Sequence, residues 1–139
     1  MEKSKATRIV DLMMEKDMFS QWLGIERLNE DAGSCKLQMK VREEMCNGFG
    51  IAHGGITYSL ADSALAFASN SHGRQAVSIE TSISHIQPLK AGDVIIATAE
   101  EKSRTNRIGI YEVRIERPGG ETVALFKGTV FRKESEWND

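Results

Sequence analysis

The chain has 139 residues, 40% of them hydrophobic and 27% charged, with a formal net charge of −2. That length suits one domain with a real core, and the balance excludes a disordered or membrane-embedded chain. Positive charge is scattered rather than clustered, which argues against nucleic acid as the main partner, and no run approaches membrane-spanning length.

The first stretch, MEKSKATRIVDLMMEKDMF, is broken by charges every few residues and has no signal-type apolar block. The cytoplasm is the expected location. Cys35 and Cys46 read as reduced thiols. Residues 5–17 have helical character, with Ile9, Leu12, Met13 and Met14 on one side. A looser segment around Phe19, Trp22 and Leu23 follows and ends at Gly24. In CKLQMKVR the period changes to two: Cys35, Leu37, Met39 and Val41 alternate with polar residues, as in a half-buried strand. Residues 25–29 are its expected hairpin partner, turning through 30–33.

Residues 54–70 are the one long apolar helix candidate, with Asn70 and Gly73 as the stop and Gly73 suited to a left-handed C′ position. Strands follow at 77–84, 94–101, 111–116 and 121–132. The first pairs an apolar set, Val77, Ile79, Thr81 and Ile83, with a polar one. The 1–4 and 134–139 ends are expected to fray. The order is helix, two strands, long helix, four strands, in one domain over 1–139. A helix apolar on nearly all sides needs cover, and an antiparallel sheet curled around it supplies that. The class is α+β, matching the hot-dog fold.

Chemistry concentrates in NGFGIAHGGITYSLAD, residues 47–62. Asp62 is the single charge between Gly54 and Asn70. Buried carboxylates are rare unless paired or functional. Ser59, Ser63 or Ser78 could satisfy it structurally; in a semi-apolar cleft it would instead serve as a general base or nucleophile. Gly54 and Gly55 follow His53 where the helix begins. The first amides of a helix lack intrahelical acceptors, glycine admits a close ligand oxygen, and the macrodipole favours negative charge there. That makes a candidate oxyanion site, although locally His-Gly-Gly suits a tight packing turn at least as well. Gly54 and Asp62 stand eight positions apart, about 12 Å along a helix. One carbonyl carbon cannot touch both, so joint action requires two subunits.

His53, His72 and His85 lack metal-ligand spacing, and no metal is expected. His72 is placed against the terminal carbonyls of the helix and His85 on a strand face. Cys46 with His53 is a weak nucleophile pair, because nothing orients the base. Lys102, Arg104 and Arg107 surround a turn; they suit a solvated hairpin, or the phosphates of a ligand. Arg74 and Lys90 are weaker candidates of the same kind.

The segment NGFGIAHGGITYSLADSALAFASNSHG resembles the active-site segment of hot-dog acyl-coenzyme A (acyl-CoA) thioesterases, closest to the PaaI-type (phenylacetate-degradation) branch. QWLGIE, QPLKAGD, RIGIYEV and VALFKGTVFR extend the likeness along the chain. The resemblance implies hydrolysis of an acyl-CoA without metal or other cofactor. It implies that Asn47 and the Gly54 amide hold and polarise the thioester carbonyl, with His53 supporting the loop or the carbonyl contact. Asp62 of the facing subunit would activate water or attack directly, and Ser78 would position water. Gly55, Phe49, Arg104 and Arg107 are the expected substrate contacts. A homodimer, further paired into a homotetramer, is implied. Phe49 departs from the histidine common at that place in the branch, which leaves the acyl preference open between small aromatic and medium-chain groups. The rivals are a hot-dog enoyl-thioester hydratase or dehydratase using His53 and Asp62, and a non-catalytic acyl-CoA-binding protein.

Overall fold

A computed structural model describes residues 2–138. Two short helices open the chain, α1 (Lys5–Lys16) and α2 (Met18–Leu23). Ser4 caps α1 by accepting from the Thr7 amide at 3.1 Å, and Ile9 and Val10 turn inward. Asp17 caps α2 by accepting from the Ser20 amide at 2.9 Å, and Gly24 closes it in the left-handed conformation. The hairpin β1 (Glu26–Asp31) and β2 (Ser34–Lys40) follows, then a 3-10 turn at Glu43–Met45 and the long helix α3 (Gly54–Asn70). Four strands complete the chain: β3 (Arg74–His85), β4 (Val94–Arg104), β5 (Ile108–Glu116) and β6 (Thr122–Glu136).

The strands form one antiparallel sheet in the order β1-β2-β4-β5-β6-β3. The sheet curls around α3, which touches all six strands. Alternation decides which side chains meet the helix: Leu37 and Met39, Ile95 and Ala97, Val113 and Ile115, Ala124 and Phe126 are all buried. On α3 the buried set includes Leu60, Ala61, Ala64, Leu65, Phe67 and Ala68, so the helix needs cover on most sides. Gly128 lets the sheet approach closely; a β-carbon there would stand only 2.5 Å from Leu65 Cδ2. This is the hot-dog architecture.

Four local expectations are corrected. The alternation of β3 does not bury Val77 and Ile79, which are 46% and 58% exposed. β3 is a sheet edge, and a register shift between Ser78 and Glu80 breaks its pairing with β6. Gly73 has a φ of +121° but is not C′: Ser71 is the C-cap, and the Gly73 amide donates to Asn70 O at 3.0 Å. His72 does not meet the helix carbonyls; its Nε2 pairs with Glu101 Oε1 at 2.7 Å. At the C-terminus β6 runs on to Glu136, and Trp137 is held where fraying was expected. Its indole N–H donates to Asn70 Oδ1 at 2.8 Å, and its amide donates to Gly73 O at 2.8 Å. Met1 and Asp139 lie outside the described residues.

Candidate active site

The loop before α3 is built by Asn47. Its side-chain oxygen accepts from the amides of Phe49 at 2.9 Å and Ile51 at 3.4 Å, and its carbonyl accepts from the Gly50 amide at 3.0 Å. Those two N–H groups fix which way the amide points, and its Nδ2 is left as a donor with no acceptor among the described residues. Gly50, with a φ of +79°, makes the reversal possible. The Ala52 amide donates to Leu89 O at 2.7 Å and the His53 amide to Met45 O at 2.8 Å, which pins the loop on both sides.

His53 is the N-cap of α3. Its Nδ1 accepts from the Gly55 amide at 3.0 Å, so its proton sits on Nε2 when the ring is neutral. The Ile56 amide donates to His53 O at 2.9 Å. The two glycines therefore differ. The Gly55 amide is consumed by the cap, whereas the Gly54 amide has no acceptor among the described residues. Asn47, Gly54, Thr57 and His85 share the wall of one cavity of about 310 Å³, closed by Ile51, Ala52, Ile86 and Leu89. Gly54 is shaped by a neighbour the sequence did not reveal as one: a β-carbon on it would stand 3.1 Å from His85 Nε2.

Asp62 is half-buried on α3. Burial, and then the negative charge of Asp17, push its carboxyl above the ordinary aspartate value. The three serines that could satisfy it do not. Ser59 donates to Gly55 O at 2.7 Å, Ser63 pairs with Ser20 at 2.8 Å, and Ser78 makes no side-chain hydrogen bond among the described residues. Ser20 also donates to Asp17 Oδ2 at 2.6 Å, so a chain of bonds from Asp17 through Ser20 ends at Ser63, next to Asp62.

The structure thus joins Asn47 and Gly54, with His53 behind them as the cap. It does not bring Asp62 or Ser78 to the cavity within one chain. α3 is continuous from 54 to 70, so Gly54 and Asp62 are held about 12 Å apart. Phe49 is 91% exposed on the loop and lies outside the cavity wall. Arg104 lies 3.3 Å from Glu101, the partner of His72, and so sits at the far end of α3. Arg107 lies 2.6 Å from Glu134. Cys46 donates weakly to Arg42 O at 3.8 Å, and Cys35 is a core thiol pushed up to about 12 by burial.

A helix-end amide and a neighbouring carboxamide N–H, neither with an acceptor among the described residues, can together receive the negative charge that develops on a carbonyl oxygen in acyl transfer. Residues 49–124 match the thioesterase superfamily model, and the chain belongs to that superfamily. It is an enzyme, a thioester hydrolase. It is 38% identical to the acyl-coenzyme A thioesterase PaaI of Escherichia coli over 128 residues, covering 92% of this chain and 91% of that one. The solved structure of the E. coli PaaI protein from the phenylacetic acid degradation operon superposes with a TM-score of 0.92 at 36% identity, over 95% and 96% of the two chains. A mutant structure of the phenylacetic acid degradation protein PaaI from Thermus thermophilus gives 0.81 at 39% identity, over 84% and 100%.

Proposed function

We propose that the protein hydrolyses a small aromatic acyl-CoA of the phenylacetyl or hydroxyphenylacetyl type, or a medium-chain acyl-CoA, at a site shared by two subunits. The observation that carries this reading is the pair of free donors, the Gly54 amide and Asn47 Nδ2, opening on one cavity, with the helix carboxylate held out of reach. The carbonyl oxygen accepts from both donors, where the N-terminal end of α3 favours the charge that develops. Asp62 of the facing subunit takes a proton from water, and its burial-raised basicity suits that task. The water oxygen bonds to the acyl carbon and the C=O pair moves to oxygen. Collapse then breaks the C–S bond, and CoA leaves as a thiolate that takes up the proton. The reaction needs water alone, with no metal or cofactor. Ser78 is a water-positioning candidate, and Gly55, Phe49, Arg104 and Arg107 are substrate-contact candidates that only a neighbouring subunit could complete.

The long edge of β3 supports the dimer. It presents Val77 and Ile79 beside unpaired backbone groups, and antiparallel pairing with a second copy would cover both. A homotetramer, as a dimer of such dimers, is the further assembly we propose, and the cytoplasm is its proposed location. None of the described helices is long and apolar enough to cross a membrane. The hydratase alternative is less well supported, because His53 Nδ1 is already engaged as the cap acceptor. The test is thiol release from a panel of acyl-CoAs including phenylacetyl-CoA and hydroxyphenylacetyl-CoA. Asp62→Asn should lower turnover by about 10²–10⁴-fold with fold and dimer intact. A variant near the wild-type rate would overturn the mechanism, and enoyl-CoA hydration without free thiol would replace the reaction.

A further inference from the structure

His85 is the last residue of β3, exposed at the sheet edge, and neither ring nitrogen has a partner among the described residues. Its ring nonetheless lies against the start of α3. From the position of a β-carbon on Gly54, Nε2 is 3.1 Å away, Cε1 3.4 Å and Cδ2 3.8 Å, so the tip of the ring points at Gly54. A residue's β-carbon lies about 2.5 Å from its own nitrogen by standard bond lengths and angles. Adding the two distances bounds the separation of His85 Nε2 from the Gly54 nitrogen at about 5.6 Å. Two donors can share one oxygen at about 2.9 Å each when they are no more than about 5.8 Å apart. His85 and Gly54 meet that condition, and both line the same cavity as Asn47.

We propose that His85 is a catalytic residue, donating a hydrogen bond from Nε2–H to the thioester carbonyl oxygen beside the Gly54 amide and Asn47 Nδ2. The inference rests on the thioesterase reading above. Nε2 carries a proton in the cation and in one neutral tautomer, so the donor role needs no proton transfer. The tetrahedral oxyanion has three lone pairs, and a third donor strengthens its binding more than that of the ground-state carbonyl. The donor also reaches the site from a different element. Gly54 and Asn47 belong to α3 and its leading loop, whereas His85 comes from the strand edge offered to a second copy. Closure of that edge would therefore hold the third donor in place.

The test compares His85→Leu, which removes the donor, with His85→Gln, whose amide offers an N–H at similar reach. Both are assayed with the wild type by thiol release from phenylacetyl-CoA and hydroxyphenylacetyl-CoA, with thermal unfolding as a check of the fold. His85 is exposed, so both variants are expected to fold. The Leu variant should lose about 10–100-fold in kcat with KM little changed, while the Gln variant recovers most of that loss. A Leu variant within twofold of the wild type would overturn the assignment, as would equal losses in Leu and Gln. A loss confined to KM would make His85 a binding contact and also overturn it. If the wild type itself releases no thiol, the thioesterase reading fails and takes the inference with it.

Discussion

Gly54→Ala separates the two reasons a glycine can begin this helix. The structure lets each be weighed. Gly54 is the first residue of α3 and its φ is not positive, so alanine meets no backbone strain. The added β-carbon would stand 3.1 Å from His85 Nε2 and 3.4 Å from Cε1, so the ring must give by a few tenths of an ångström. That ring is exposed and can turn; displacing a side chain from its rotamer costs about 0.5–1.5 kcal/mol. Replacing glycine in a helix recovers up to about 1 kcal/mol. Stability should therefore change by no more than about 1.5 kcal/mol. Turnover should respond differently. The Cα–Cβ bond of a helical residue tilts toward the N-terminus, here into the cavity beside the free amide. Displacing the carbonyl oxygen from one such donor costs about 10²–10³-fold in kcat, or about 2.7–4 kcal/mol. Urea unfolding and steady-state thiol release measure the two effects. Gly55→Ala is the control: its β-carbon would crowd His53 Nδ1 at 3.2 Å, which weakens the cap but leaves the Gly54 amide open. A fully active Gly54→Ala enzyme would refute the reasoning and leave the glycine a packing residue.

Three further outcomes follow from the surroundings of α3. Asp17→Asn keeps a side chain able to cap α2 but removes the charge that adds to burial in raising Asp62, so the acid limb of kcat/KM should move to lower pH; an unmoved or raised limb would contradict it. Asp62→Asn should raise Tm at pH 7.5, and the gain should shrink as pH falls toward 4. The penalty on the raised carboxyl is full above its folded value, shrinks as pH falls between the folded and unfolded values, and disappears once both states are protonated. Equal protein concentrations keep assembly from obscuring that comparison, and a larger gain at low pH would contradict it. Trp137→Phe removes the N–H that holds Asn70 and should cost about 1 kcal/mol in urea unfolding while leaving turnover within about twofold.

Much of this was legible in the residues. The bounds of α3 could be read because 54–70 is apolar, begins at a histidine followed by glycines and ends at a polar residue. The same contrast made Asp62 visible. The alternation of β2 was equally clear, since one of its faces meets α3. The inward face of β3 was misread because edge position and a shifted register are properties of the sheet, not of a local pattern. His85 was missed for a related reason. A lone histidine at a strand end carries no spacing signal, and only the packing of β3 beside the start of α3 puts it at Gly54. Trp137 looked like part of a polar tail because its partner, Asn70, lies 67 positions away in sequence. Arg104 and Arg107 drew attention as clustered charge; Glu101 stands three positions before Arg104 in the sequence, whereas Glu134 becomes a neighbour of Arg107 only in the fold.

The central claim is that one reaction draws on two chains. Asp62→Asn and Gly54→Ala subunits, co-expressed with different tags and purified as mixed dimers, test it directly. In such a dimer one site carries both defects, and the other combines an intact Gly54 with the opposite subunit's intact Asp62. Thiol release should recover to about half the wild-type rate per dimer, while each parent homodimer remains impaired. A mixed dimer no more active than the average of its parents would contradict the shared site.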